Sequence, residues 1–353
     1  MRKIIRVAIA AAVGLIAIEL VASYIFYWHY PVEYRGFRPD GSKAIALLRR
    51  SSDKLRGIHH EVRMSIDHRP LFAASDLLGF TMLPGRYHVT ELFEARKHVF
   101  DLTVTAAGWR ATSYAPPAGR KRLFITGDSA LFGWGVDDEA TVPWLMQSRL
   151  PDYDVMNLSL NSYSTVHAFL QLQQVTPQVG PDDIVVLEYR PASNAFNVAA
   201  PDFLRSFLDG YELQLGDAER LRAMQVPFGT LDAHGAFTVG RIQLSCVNTP
   251  NKPGCMHSNV GTAGAQRMTE LAFDAIIAMN IRHLLVAFLS GTDDDPVILH
   301  LRSRGVAIAD LRTVDGTPDA ADIIPTDMHA GPFWHHQAYA LLLKSMQRLR
   351  LVN

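Results

Sequence analysis

From residue 121 onward, short runs of Val, Ile, Leu and Phe alternate with longer stretches whose apolar positions recur every three or four residues. The short runs at 123–126, 153–158, 183–189, 282–289 and 306–310 predict five strands. The periodic stretches at 141–150, 165–175, 268–279, 296–304 and 334–349 predict helices, the last with basic residues late in it, where they complement the helix dipole. Pro143 falls in a first helical turn, where its missing N–H costs nothing. The run at 183–189 is apolar enough to be covered on both faces. Strands alternating with helices imply an α/β domain, a parallel sheet between two helical layers. Residues 198–267 break the alternation with Gly, Pro and a mixed-charge helical piece around 217–224. An insertion that long reads as a lid, cap or binding loop.

The pattern upstream of residue 121 is different. Between 76 and 110, Gly79, Pro84-Gly85 and Gly108 separate short alternating runs such as 98–104, which predicts a small accessory β-rich segment. Pro116-Pro117 and Gly119 mark a linker into the main domain. Residues 31–75 are mixed, with basic and His-rich stretches, and read as a solvated helix or a juxtamembrane connector. The first residues form a basic head, Arg2, Lys3 and Arg6, followed at 7–27 by an apolar run long enough to cross a bilayer, with Glu19 its one charge. Aromatic residues at 24–30 fit an interfacial belt, and no cleavage site follows. These features predict an uncleaved signal anchor in the cytoplasmic membrane with the remainder extracytoplasmic. The expected plan is therefore an anchor at 1–30, a connector and accessory segment at 31–120, and the main domain at 121–353 with its insertion at 198–267.

Composition changes this picture little. Hydrophobic content is 48%, and 34 Lys+Arg against 35 Asp+Glu leave a net charge of -1, which gives no basis for a nucleic-acid partner. The two cysteines, Cys246 and Cys255, bracket a turn-rich loop, and a disulfide closing it suits an oxidising compartment. Zinc is not expected there, because two thiols with only His257 nearby leave the shell incomplete.

Candidate chemistry gathers at strand ends. Gly127-Asp128-Ser129 follows the first strand, which delivers a serine to the open edge of a sheet beside the N–H groups of a following turn. A serine needs a base, and His329 lies in the loop before the last helix, with Asp327 two residues earlier to orient it; His335 and His336 are the fallbacks. An oxyanion would be met by the Ser129 N–H, by a second N–H from the loop at 157–165, and by a side-chain amide from Asn194 or Asn197. Trp134, Tyr163, Phe333 and Trp334 could stack on sugar rings, although core packing accounts for such aromatics more simply.

These motifs resemble the SGNH/GDSL hydrolase family over about residues 120–197 and 282–347. The likeness rests on Gly127-Asp128-Ser129 with Gly133-Trp134-Gly135-Val136 behind it, on Asn157-Leu158 followed by Tyr163-Ser164-Thr165, and on Asp327 and His329 before a helix. The membrane-anchored bacterial members are similar upstream as well: an apolar anchor with an internal Glu, Leu78-Gly79-Phe80 with Pro84, and Ala107-Gly108-Trp109-Arg110. The resemblance implies a flavodoxin-like three-layer sandwich with a parallel five-stranded sheet, no cofactor, and Ser129, His329 and Asp327 as nucleophile, base and orienter. It places the oxyanion hole at the backbone N–H groups of Ser129 and Ser162 and the side chain of Asn194. Ser162 stands where the family has glycine, Asn194-Ala195 where it has Asn-Asp, and the Asp-to-His spacing is two where three is commoner. The expected function is that of a membrane-anchored serine esterase, cleaving or transferring O-acyl groups on an envelope glycan. The alternatives are a catalytically silent glycan-binding or scaffold module and a lipase or thioesterase.

Overall fold

The computed structural model describes residues 63–66, 70–93, 96–115, 121–200, 203–204, 224–244, 246, 261–312, 322–324, 326 and 329–352. The chain divides into two compact units, one comprising Met1–Val62 with Leu92–Arg96, the other Arg63–Glu91 with Lys97–Asn353. The expected anchor at 1–30 lies outside the described residues, and among these no helix is long and apolar enough to cross a membrane.

The accessory segment is β-rich, as its alternating runs predict. Strands β1 (Arg63–Ile66), β4 (Gly85–Phe93) and β5 (Arg96–Val104) form one sheet in the order β1-β4-β5, and β2 (Phe72–Ser75) pairs antiparallel with β3 (Gly79–Met82). The alternation along β5 turns Phe100, Leu102 and Val104 inward.

Five parallel strands then build the main sheet: β6 (Lys121–Thr126), β7 (Tyr153–Asn157), β8 (Ile184–Tyr189), β11 (Leu284–Phe288) and β12 (Ala307–Asp310). Their spatial order is β7-β6-β8-β11-β12. This is the flavodoxin-like order, and its topological switch point, where open α/β sheets place their ligands, lies between β6 and β8. The connecting helices are α1 (Ser129–Phe132), α2 (Val142–Arg149), α3 (Thr165–Val175), α4 (Asn194–Asn197), α5 (Gly261–Ile277), α6 (Pro296–Ser303) and α7 (Pro332–Arg348). Leu123, Ile125, Val155 and Val186 pack with Met146 of α2 and with Ala338 and Leu342 of α7 on one face. Phe124, Val185, Leu187 and Val286 pack with Leu172, Phe273 and Ile298 of α3, α5 and α6 on the other. All six residues of β8 are buried, as its apolar run predicts, although one of them is Glu188.

The insertion expected as a lid, cap or binding loop is described only in part. It holds a hairpin, β9 (Gln225–Leu231) and β10 (Phe237–Gln243), paired antiparallel in register from Phe237 opposite Leu231 to Gln243 opposite Gln225. Val226 and Ile242 from this hairpin, with Leu244, share one apolar cluster with Leu71, Phe72 and Phe80 of the accessory segment and with Phe132 and Tyr163 of the main domain. Burial of this kind makes the hairpin a structural wall. The mixed-charge piece expected at 217–224 lies, apart from Met224, outside the described residues. Cys246 is buried and disulfide-bonded; the chain's other cysteine, Cys255, is outside the described residues.

Candidate active site

The chain leaves β6 at Thr126, passes Gly127 and Asp128, and enters the single turn of α1 at Ser129. The demand for glycine at 127 is one of space. A Cβ there would lie 2.2 Å from Glu188 Cβ on the neighbouring strand, so no other residue lets β6 and β8 hold this spacing with Glu188 between them. Ser129 is 5% exposed, and its hydroxyl has no hydrogen-bond partner among the described residues.

Around the serine, backbone donors are matched to carboxylates. Glu188 Oε2 accepts from the N–H groups of Asp128 (2.9 Å) and Leu131 (3.1 Å), which satisfies two of the orphan donors at the start of α1. Asp128 Oδ1 accepts from Ser129 N–H (2.7 Å) and from Ser162 N–H (2.6 Å). These are the two backbone donors expected to line the oxyanion hole. They converge on one point in space, and that point is occupied by an oxygen carrying negative charge. Ser162 reaches it with φ at 66°, the left-handed conformation that glycine adopts freely and serine at some cost. Asp128 Oδ2 pairs with Arg190 Nη2.

The expected third donor, Asn194, is buried. Asn194 Nδ2 lies 3.5 Å from the Tyr189 hydroxyl, and its Oδ1 is buried with no partner among the described residues. Asn197 is a fastener: its Oδ1 accepts from Val166 N–H (3.0 Å), and its Nδ2 donates to Thr269 Oγ1 (2.8 Å) and Thr165 Oγ1 (3.3 Å). His329 is half-buried and makes no hydrogen bond with Ser129. Its carbonyl accepts from Ile324 N–H at 2.8 Å, and Ile323 bridges to Ala330, so the two ends of the histidine loop are held together. Asp322 clamps the same loop to α7, accepting from the N–H groups of Phe333 (3.0 Å) and Trp334 (2.5 Å) through its carboxylate and from Gly331 (2.6 Å) through its carbonyl. Asp327 lies outside the described residues. The fallback bases separate cleanly. His335 is buried, with its pKa pushed down to about 3 by desolvation, then by Arg110, His329 and His336, which makes it a poor proton acceptor, while His336 is exposed. Among the described residues no group of three or more His, Cys, Asp or Glu is arranged to hold a metal ion.

Two buried charges from outside the main sheet fix the loops that carry these residues. Arg110 donates through Nε to Asp138 (2.9 Å) and through its other nitrogens to the carbonyls of Phe132, Gly133 and Val136. Glu91 on β4 accepts from Trp134 Nε1 and from Thr326 Oγ1, each at 2.7 Å. One carboxylate thereby ties the segment after Ser129 to the segment before His329. Replacing Glu91 by alanine should strand both donors in a dry site and lower stability by about 2–4 kcal/mol. Glu91→Gln, which keeps the shape and an acceptor, should cost much less, and urea unfolding of the two variants compares them directly. Of the four aromatics considered for sugar stacking, Trp134, Tyr163 and Trp334 are buried, and Phe333 is exposed at the start of α7.

Glu188, Arg190, Glu91 and Asp322 had no role in the sequence-based site. The signal available for Glu188 was a charge inside an otherwise apolar strand, which a covered strand tolerates only with partners. Burial and then the nearby Asp128 carboxylate push the Glu188 pKa from 4.5 up to about 7, against the opposing pull of Arg190. The fold therefore holds this proton more tightly than the unfolded chain does. The associated stability is fully present below about pH 4.5 and is lost as pH rises through about 7. Glu188→Gln, which carries no charge to bury, should melt higher than the wild type at about pH 8, with the gap closing below about pH 5. Melting curves across that range would show it.

The chain matches no family model and no curated protein. It is similar to several solved structures. The crystal structure of TesA aligns with a TM-score of 0.38 at 12% identity, covering 65% of this chain and 99% of that one. The esterase EstA from Pseudoalteromonas sp. aligns with a TM-score of 0.38 at 10% identity, covering 65% and 98%. The acetylxylan esterase Axe2 from Geobacillus stearothermophilus aligns with a TM-score of 0.35 at 10% identity, covering 66% and 96%.

Proposed function

We propose that the chain is a serine esterase of the SGNH/GDSL type, acting on short O-acyl groups of an envelope glycan from an extracytoplasmic position on the membrane. The observation that carries this reading is the pair of amides at Ser129 and Ser162, both directed at one anionic oxygen beside a serine hydroxyl. Such a pair, held at the switch point of the sheet, is what a tetrahedral oxyanion requires. The near-complete burial of Ser129 favours a small acyl group, and the apolar run at 7–27 favours an anchored protein.

In this reading Ser129 Oγ attacks the ester carbonyl carbon while its proton passes to His329, and the carbonyl electrons move onto oxygen. The carbonyl re-forms as the sugar alkoxide departs, taking the proton from His329. The acyl group, now on Ser129, passes to water or to a second hydroxyl by the same steps in reverse. Hydrolysis and transfer differ only in that acceptor.

A scaffold reading is favoured by one observation, the carboxylate of Asp128 on the two amides. Steady-state hydrolysis of p-nitrophenyl acetate, butyrate and octanoate by the full chain separates the readings. The esterase reading expects turnover that falls as the acyl chain lengthens. Equal background rates for all three esters would favour the scaffold, and a preference for octanoate would point to a lipase.

A further inference from the structure

The oxygen on the Ser129 and Ser162 amides belongs to the residue before the nucleophile. An amide N–H makes one good hydrogen bond, so an oxyanion cannot use these donors while Asp128 Oδ1 holds them at 2.7 and 2.6 Å. Two negative oxygens cannot share the position either, since like charges at such separations repel strongly where water is scarce. Turnover therefore needs the carboxylate to move, and a buried carboxylate moves only to another cationic or donor-rich seat.

Such a seat adjoins it. Arg190 follows directly on β8; its Nη2 already pairs with Asp128 Oδ2, and its Nε donates to Ser193 Oγ at 3.3 Å and lies 3.9 Å from Glu188 Oε1. Nη1 has no partner among the described residues, so the guanidinium can take both carboxylate oxygens in a fork. A cavity of about 10 Å³, lined by Asp128, Tyr163, Ser164 and Glu188 among others, adjoins the carboxylate. The backbone need not follow. Glu188 Oε2 pins the N–H groups of Asp128 and Leu131, so the motion reduces to rotation of one side chain.

We propose that Arg190 is a positioning residue for the esterase reaction. It gives the Asp128 carboxylate a second seat, so that the carboxylate can leave the Ser129 and Ser162 amides as the oxyanion takes them. The inference rests on Ser129 being the nucleophile. With the carboxylate on the amides the site is closed, and with the carboxylate forked on Arg190 it is open. Binding energy from the developing oxyanion drives the exchange.

The test uses diethyl p-nitrophenyl phosphate on the full chain. Ser129 Oγ bonds to phosphorus, p-nitrophenolate leaves, and the serine proton passes to the base. In the crystal structure of this adduct the phosphoryl oxygen should lie on the Ser129 and Ser162 amides, with Asp128 forked on Arg190. Arg190→Ala should lower kcat for p-nitrophenyl acetate about 10²-fold, the scale of lost oxyanion donors, while KM changes little. Arg190→Lys, which keeps the charge without the fork, should fall between. In an Asp128→Ala background the same Arg190→Ala change should leave kcat within about threefold, because no carboxylate remains to be moved. An adduct in which Asp128 still holds both amides, or an Arg190→Ala protein that folds and keeps its kcat, overturns the proposal alone. A wild type that does not react at Ser129 overturns the nucleophile reading, and the proposal with it.

Discussion

Turnover of a short aryl ester should fall by about 10³-fold or more in the Ser129→Ala protein, with little change in its melting temperature. The side chain is small, its hydroxyl has no partner to strand, and its removal leaves α1 capped by Glu188 and Asp128 as before. His329→Ala should cost a similar factor, since a serine without a base is nearly inert. The combined variant should be scarcely worse than either, because nucleophile and base act as a unit. Initial rates with p-nitrophenyl acetate, measured beside circular dichroism, decide the matter. Full activity in Ser129→Ala would end the esterase reading. Activity kept in His329→Ala alone would leave the nucleophile in place and remove only its assigned base.

The largest effect on stability is expected from Arg110. Its side chain is among the largest that are fully buried, and its ion pair with Asp138 has both partners essentially without solvent. Desolvation lowers its pKa, and Asp138 opposes that shift. Breaking such a pair from one side leaves an uncompensated buried carboxylate, so Arg110→Ala should destabilise the protein by about 3–5 kcal/mol. Arg110 also gathers three carbonyls of the segment after Ser129, which no apolar residue can replace. The paired change Arg110→Met with Asp138→Leu should therefore recover part of the stability without recovering activity. Chemical denaturation and ester hydrolysis on the same samples would show whether the two properties separate.

The main sheet was legible because each of its strands is a local event. An apolar run between turn residues, such as 183–189, needs no knowledge of its neighbours to be read as a covered strand, and β8 spans Ile184–Tyr189. The helix at 165–175 was equally clear, since its apolar spacing and its start after Ser164 are both local. The hairpin of β9 and β10 was not legible. Pro227, Gly229 and Gly240 interrupt its alternation, and what holds it is packing against strands more than a hundred residues earlier.

The site divides along the same line. Ser129 and the loop of Ser162 were found from glycine, serine and strand-end positions, and the structure brings their amides together on one oxygen. The residue that supplies the oxygen was inside the motif, but its role depends on Glu188 and Arg190, some sixty positions away. Asn194 was chosen from its place after a strand, and a one-turn helix carries its amide to Tyr189. Pairings of this kind are decided by three-dimensional closure, which spacing in the chain does not encode.

Glu91 and Thr326 meet across 235 positions of sequence, and Trp134 joins them in between. In a chain made from its N-terminus, the carboxylate that joins the Trp134 and Thr326 segments is synthesised before the serine and long before the histidine. Until Thr326 arrives, Glu91 lacks one of the partners it holds in the finished fold, and its link between the two segments is not made. In the esterase reading, the serine and its base are therefore brought together only when synthesis is almost finished. In that reading a partly made chain carries the serine but not the geometry to use it.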